Sequence, residues 1–145
     1  MPEHTFLLEE GLWSVEGRLL LPGQPGAPFA GETRVSHEPW VWRLDGYLQV
    51  QPAGMRLENH YEIRPFMGHE PTMDWTSQNP VLGRLRGHFA LVEDALISVF
   101  EAEGRELRGT EMLLRQDAGA YLSRGALLEG GTLVSSWVAI LRRAM

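Results

Sequence analysis

Apolar residues recur at every second position along much of this chain, and Gly and Pro interrupt the pattern at short intervals. In residues 12–21, Trp13, Val15 and Leu19 share one face, and polar residues occupy most of the positions between them. With 16 Gly and 9 Pro in 145 residues, the alternating runs stay short, which is typical of strands joined by turns. We therefore predict an all-β protein of about ten or eleven strands.

The clearest local turn signal lies in residues 40–51. Asp45-Gly46 separates the alternating runs 40–44 and 47–51. A two-residue Asp-Gly connection favours a type I′ hairpin, because both residues tolerate a positive φ and the turn matches the twist of the strands. The sequence therefore predicts a hairpin turn at Asp45-Gly46.

Two other segments are less regular. Residues 65–81 are rich in Pro, Gly and Asn, and we predict a long loop that contains a short strand at 73–75. Residues 92–105 can be drawn as an amphipathic helix, but Ile97, Val99 and their neighbours favour strand. No linker or low-complexity segment interrupts the chain, so we expect one domain over residues 1–145.

The number of strands constrains how the two edges of the sheet are covered. A flat sheet of ten strands would leave an apolar face and two long edges uncovered, so closure into a barrel is expected. A barrel of this size encloses more volume than core side chains fill. We therefore predict a single up-and-down antiparallel β-barrel that holds a cavity.

The composition excludes several kinds of chemistry. The chain has no Cys, and all 13 of its basic residues are Arg. Disulfides, thiolate metal sites, cysteine nucleophiles, lysine Schiff bases and the lysine-dependent phosphate loop are therefore excluded. Arg is left as the permanent cation that could anchor an acidic ligand.

The charge and hydropathy of the chain argue against binding to nucleic acids and against insertion into a membrane. The net charge is −6, and the Arg residues are scattered, so a nucleic-acid partner is not expected. No apolar run of 18 residues is present, and no signal peptide is recognised at the N-terminus, so we expect no membrane insertion and a cytoplasmic location. A homodimer is left open.

The opening Gly11-Leu12-Trp13, the meander of strands and Trp137 followed by Arg142 and Arg143 resemble the calycin group: lipocalins, fatty-acid-binding proteins and nitrobindin-type barrels. The resemblance implies that Trp13 packs against a C-terminal arginine and closes one end of the barrel. It covers nearly the whole chain in architecture, but it implies no activity by itself.

The sequence departs from these families where their ligands bind. Residues 22–30 are too short for the helical lid of fatty-acid-binding proteins, and no Arg stands two residues before any Tyr, as their carboxylate site requires. Nitrobindin-type proteins hold haem through a histidine near the C-terminus, whereas the last histidine here is His88. We therefore expect no cofactor.

The alternation places aromatic and polar side chains on inward-facing positions. An aromatic lining with a few polar groups suits an apolar or aromatic ligand, although the rings could instead fill the barrel. The long loop that contains Trp75 is polar, as functional loops over a barrel mouth often are. The predicted ligand-binding residues are Trp42, Asn59, Tyr61, Trp75, Phe89, Glu111, Tyr121 and Trp137.

Glu111 lies in a segment where both faces carry apolar residues. If it points inward near Arg108 or Tyr121, it would be a ligand anchor or a general acid/base; the pattern favours the outward position of a surface carboxylate. His60 is the other acid/base candidate. No metal site is predicted.

The triplets His37-Glu38-Pro39 and His69-Glu70-Pro71 do not match a metalloprotease motif, because Pro and the missing second His exclude the required helical spacing.

The sequence therefore predicts binding of a small apolar or aromatic molecule inside a barrel. One alternative is an isomerase or cyclase that uses an acid/base such as Glu111 or His60 in the same cavity. Another is a structural or dimerising β-protein whose interior is filled.

Overall fold

The computed structural model describes residues 4–52, 54–65 and 72–144. Ten antiparallel strands close into one barrel, and each strand pairs with its neighbours in sequence while the first pairs with the last. The strands are β1 Gly11–Leu20, β2 Ala27–His37, β3 Trp42–Val50, β4 Met55–Arg64, β5 Thr72–Asn79, β6 Gly83–Val92, β7 Ala95–Ala102, β8 Leu107–Asp117, β9 Ala120–Glu129 and β10 Thr132–Arg143. The predicted all-β up-and-down barrel is confirmed.

The hairpin predicted at Asp45-Gly46 is wrong. Both residues lie within β3, where Gly46 is opposite Thr33 of β2 and Asn59 of β4. A Cβ on Gly46 would overlap the backbone of β2, so this glycine permits close strand approach instead of a turn. Pairing along both edges of β3 overrides the local preference of the dipeptide.

Two other segments are more regular than the sequence indicates. Residues 72–79, placed in a long loop by the sequence, form β5. This strand pairs with β4 and β6, which satisfy its backbone hydrogen bonds. The polar side chains of the segment gave no indication of this pairing. The segment 92–105 contains strand β7 and not a helix, in agreement with the strand preference of its β-branched residues.

The N-terminal segment closes one end of the barrel, a feature that the sequence did not predict. Phe6 is buried against Trp13, with ring centroids 5.3 Å apart, and Trp13 packs edge-on against Tyr121 at 5.7 Å. The Tyr121 hydroxyl accepts the Thr5 N–H at 3.1 Å and bonds His4 Nδ1 at 2.8 Å. This cluster seals the end at which β1 begins.

Arg143 fastens the same end. Its guanidinium lies 5.8 Å from the centroid of the Trp13 ring, as the calycin resemblance implies. It also donates hydrogen bonds to the Glu9 carboxylate at 2.7 Å and to the Glu10 carbonyl at 2.8 Å. The arginine therefore links the last strand to the N-terminal segment.

The outer surface of the barrel is divided. Ion pairs link neighbouring strands in the part of the barrel from β3 to β7. Arg43 of β3 lies 3.1 Å from Glu62 of β4, and Arg86 of β6 lies 3.2 Å from Glu101 of β7. The outward positions of β7 and β8 instead carry apolar residues such as Val99 and Met112, which are exposed. The homodimer stays a prediction.

No helix in the described part of the chain is long and apolar enough to cross a membrane.

Candidate functional site

A cavity of about 440 Å³ occupies the interior of the barrel above the closed end. All ten strands contribute to its wall, and it extends to the opposite end, where Met55 and Val81 are exposed. Its volume lies within the roughly 300–1,000 Å³ of small-molecule sites. The interior is therefore not filled by side chains, which contradicts the alternative of a packed barrel.

An aromatic cluster forms one side of the cavity. Tyr61 of β4 lies 4.8 Å from Trp75 of β5, measured between ring centroids, and Trp75 is 5.9 Å from Phe89 and 5.7 Å from Phe100. The indole of Trp75 is fixed by a hydrogen bond of 3.2 Å from its Nε1 to Ser98 Oγ. The cluster presents a rigid apolar wall with one phenol.

Glycines opposite the large rings keep the cavity open. A Cβ on Gly109 would overlap the ring of Phe100, its partner on β7, and a Cβ on Gly125 would overlap the indole of Trp137, its partner on β10. Each ring therefore lies flat against a glycine. Because the rings follow the wall in this way, the barrel carries large side chains and still encloses free volume.

Glu111 of β8 lies beside this cluster, since its strand partner is Ser98 of β7, and two neighbours hold its carboxylate. Ser123 Oγ donates to Oε2 at 2.8 Å, and Trp137 Nε1 donates to the same oxygen at 2.9 Å. Trp137 reaches Glu111 across Gly125, which is paired with both residues. No hydrogen bond from residues 4–52, 54–65 or 72–144 reaches Oε1, the other carboxylate oxygen.

The expected outward position of Glu111 is therefore wrong. The segment carries apolar residues on both faces because Met112 and Leu114 share the outer face of β8 with Arg108 and Thr110, and this made its register ambiguous from sequence. The partners also differ from the expected Arg108 and Tyr121.

The environment changes the protonation of two groups. Burial raises the pKa of Glu111, and the hydrogen bonds from Trp137 and Ser123 only partly oppose this effect. The pKa of Tyr61 is raised above its usual 10, first by burial and then by the charge of Glu111. Tyr61 is therefore a neutral phenol, and Glu111 is a carboxyl group whose pKa is raised above its ordinary value.

The structure brings six of the eight predicted residues to the cavity wall: Asn59, Tyr61, Trp75, Phe89, Glu111 and Trp137. Trp42 is stacked on His37 with ring centroids 4.0 Å apart, and Tyr121 belongs to the closed end. Neither residue lines the cavity, because the N-terminal segment packs on this end of the barrel. A role of the other six in ligand binding stays a prediction.

His60 is not a cavity residue. It lies on the outer surface, where its Nδ1 donates to Asp45 Oδ1 at 2.8 Å, so its proposed role as an internal acid/base is wrong. His37 Nε2 donates to the Leu7 carbonyl at 2.8 Å. His69-Glu70-Pro71 lies outside the described residues, and within the described ones no three His, Asp or Glu side chains gather as a metal site.

Sequence reasoning missed Ser98, Phe100 and Ser123, which lie on the cavity wall. Ser98 and Ser123 are the strand partners of Phe89 and Leu113, respectively. A correct strand register would have identified them, because inward positions on adjacent strands pair with each other.

Comparison with solved structures places the barrel among known folds. The S-type phycobiliprotein lyase CPES from Guillardia theta matches with a TM-score of 0.73 at 7% sequence identity, over 97% of this chain and 91% of that chain. Rv2717c from M. tuberculosis matches with a TM-score of 0.70 at 14% identity, over 93% and 92% of the two chains. At these identities the likeness shows the fold alone.

No family model matches the sequence, and neither does any curated protein. The closed ten-strand barrel and its structural neighbours confirm the calycin-like architecture.

Proposed function

We propose that the protein binds a small apolar or aromatic molecule inside the barrel. The observation that carries this proposal is the cavity of about 440 Å³, lined by an aromatic cluster and one inward carboxylate. Apolar walls favour the transfer of an apolar ligand from water, and a few fixed polar groups orient it. The likeness to a phycobiliprotein lyase is compatible with this proposal at the level of the fold.

The test uses Nile red, a neutral aromatic probe that has no N–H group and whose emission rises in apolar surroundings. We expect saturable binding with one probe per barrel. Ser135 lines the cavity, whereas its neighbour Ser136 does not, so Ser135→Phe and Ser136→Phe form a matched pair. Ser135→Phe should weaken binding at least tenfold, and Ser136→Phe should leave it unchanged.

Two results would contradict binding in the barrel. One is a probe signal that never saturates, and the other is equal affinity in the two Phe variants. Urea unfolding of both variants serves as the control for folding.

Catalysis in the same cavity is a second candidate, and the inward carboxylate of Glu111 favours it. Since Oε1 has no hydrogen-bond donor among the described residues, it can take a proton from a bound molecule or return one. Once a substrate is found, Glu111→Gln should abolish turnover and leave affinity nearly unchanged. Equal turnover in the variant would remove Glu111 from the mechanism.

A further inference from the structure

The charged side chains that line the cavity are both acidic. Among the described lining residues these are Glu32 and Glu111, and neither Arg nor His is present. The arginine anchor for an acidic ligand that the sequence allowed is therefore absent from the described wall. An anion that entered this cavity would lose its hydration and meet a like charge without a counter-ion.

The carboxylate of Glu111 can accept a further hydrogen bond from a ligand. Oε2 already accepts two hydrogen bonds, from Ser123 and Trp137, whereas Oε1 accepts none from the described residues. The two donors fix the orientation of the carboxylate. An acceptor that faces the cavity and has no donor among the described residues favours a ligand that supplies one.

The wall around Glu111 suits a cation or a planar N–H group. Trp75 and Tyr61 lie 4.8 Å apart, and Phe100 extends the aromatic surface on the other side of Trp75. Aromatic faces attract cations, and they do so more strongly where water is excluded. Trp75 Nε1 is already bonded to Ser98, so its indole offers a face instead of a donor.

We infer that the cavity selects aromatic molecules that carry an amino group, such as arylalkylamines, which donate an N–H to Oε1 of Glu111, and that it rejects aromatic carboxylates of the same shape. This inference rests on the proposed function and names the ligand class of that site. It differs from a fatty-acid site, in which a cation of the protein meets a carboxylate of the ligand.

The test displaces Nile red with three compounds of one shape: 2-naphthylmethylamine, 2-methylnaphthalene and 2-naphthoate. At pH 7.5 we expect the amine to bind at least tenfold more tightly than the acid, with the hydrocarbon between them. Glu111→Gln should bring the amine and the acid to within about threefold of each other. Glu32→Gln changes the second acidic residue of the wall, whose carboxylate already accepts from the Tyr47 hydroxyl at 3.2 Å, and should reduce the discrimination less than Glu111→Gln does. Glu16→Gln, at an exposed position of β1 outside the cavity, is the control and should preserve the order.

The outcomes separate this inference from the proposed function. If none of the compounds displaces the probe and the probe itself does not bind, the proposed function fails. If the hydrocarbon binds but the acid equals or exceeds the amine, the ligand class is wrong and the binding function stands. Loss of discrimination in Glu32→Gln but not in Glu111→Gln would also overturn the assignment.

A second measurement does not depend on a variant. The amine should bind the unmodified protein more tightly as the pH rises and Glu111 ionises, whereas 2-methylnaphthalene should show no such dependence. The groups facing Glu111 are Ser98 of β7, Ser123 of β9 and Trp137 of β10, with the neutral phenol of Tyr61 across the cavity. The charged neighbours Arg108 and Arg124 occupy outward positions on β8 and β9. A flat pH profile for the amine would overturn the inference.

Discussion

The indole nitrogen of Trp137 donates a hydrogen bond of 2.9 Å to Oε2 of Glu111, although β9 lies between their strands. The contact exists because Gly125, the residue between them, has no side chain. Three positions in one row across the sheet therefore determine how the buried carboxylate is held.

The first prediction concerns this row. In Gly125→Ala the new methyl overlaps the Trp137 ring, so the indole must move away from Glu111. We expect unfolding in urea to show a loss of about 1–3 kcal/mol, as for other overpacked interiors, together with weaker probe binding. Gly119→Ala is the control, because its Cβ would come no closer than 3.7 Å to Asp117 Oδ1. Equal stability of the two variants would contradict the flat packing of Trp137.

The second prediction concerns pH. Since the pKa of Glu111 is higher in the folded chain than its ordinary value of 4.5, the folded state holds this proton more firmly than the unfolded state. The contribution of Glu111 to stability is therefore present at low pH and is lost as the pH rises through the raised pKa. We expect Glu111→Gln to gain stability relative to the unmodified protein as the pH is raised from 4.5, the ordinary pKa of the carboxyl group, through the raised pKa of Glu111.

Urea unfolding across this pH range measures the effect in the absence of ligand. Glu16→Gln, at an exposed position of β1, is the control and should show no such gain. A stability difference for Glu111→Gln that does not change with pH would show that burial does not perturb this carboxylate.

The third prediction concerns the closed end. Tyr121→Phe removes the hydroxyl that accepts the Thr5 N–H and bonds His4. A buried N–H left without an acceptor costs about 1–3 kcal/mol, and we expect this loss in urea unfolding together with faster hydrogen exchange at the Thr5 amide. Tyr47→Phe, which removes a hydroxyl bonded to Glu32, should cost less. Unchanged exchange at Thr5 would argue against this anchoring of the N-terminal segment.

The fourth prediction concerns the aromatic wall. Trp75 is 3% exposed, whereas Trp40 is 84% exposed. Trp75→Leu removes a ring from the cluster and should weaken probe binding about three- to tenfold. Trp40→Leu should bind as the unmodified protein does. Equal affinities would place the probe elsewhere.

The sequence predicted the barrel because each strand buries one face, and the resulting alternation of apolar and polar residues can be seen in the sequence of each strand alone. It failed where distant strands decide the outcome. Asp45-Gly46 has the composition of a turn, but pairing on both sides keeps it extended. Likewise, the strand containing Trp75 is polar enough to resemble a loop, and only its pairing with β4 and β6 identifies it.

The candidate site was predicted in the same uneven way. Aromatic residues on inward faces, such as Tyr61 and Phe89, were found by alternation. The direction of Glu111 was not, because the outer surface of β8 also carries apolar residues, Met112 and Leu114, and gives little contrast between the two registers. Tyr121 was misplaced because no local pattern shows that residues 4–9 fold under the barrel.

The pairing of β1 with β10 has a consequence for the order of events during synthesis. Until residues 132–143 have left the ribosome, β1 and β9 each keep an unpaired edge, and the cavity lacks Trp137. Pairing between strands that are far apart in the sequence is also a slow step, because the entropic cost of closing a long loop comes before the stabilising contacts form. The wall of the cavity is therefore completed only when β10 pairs with β1 and β9.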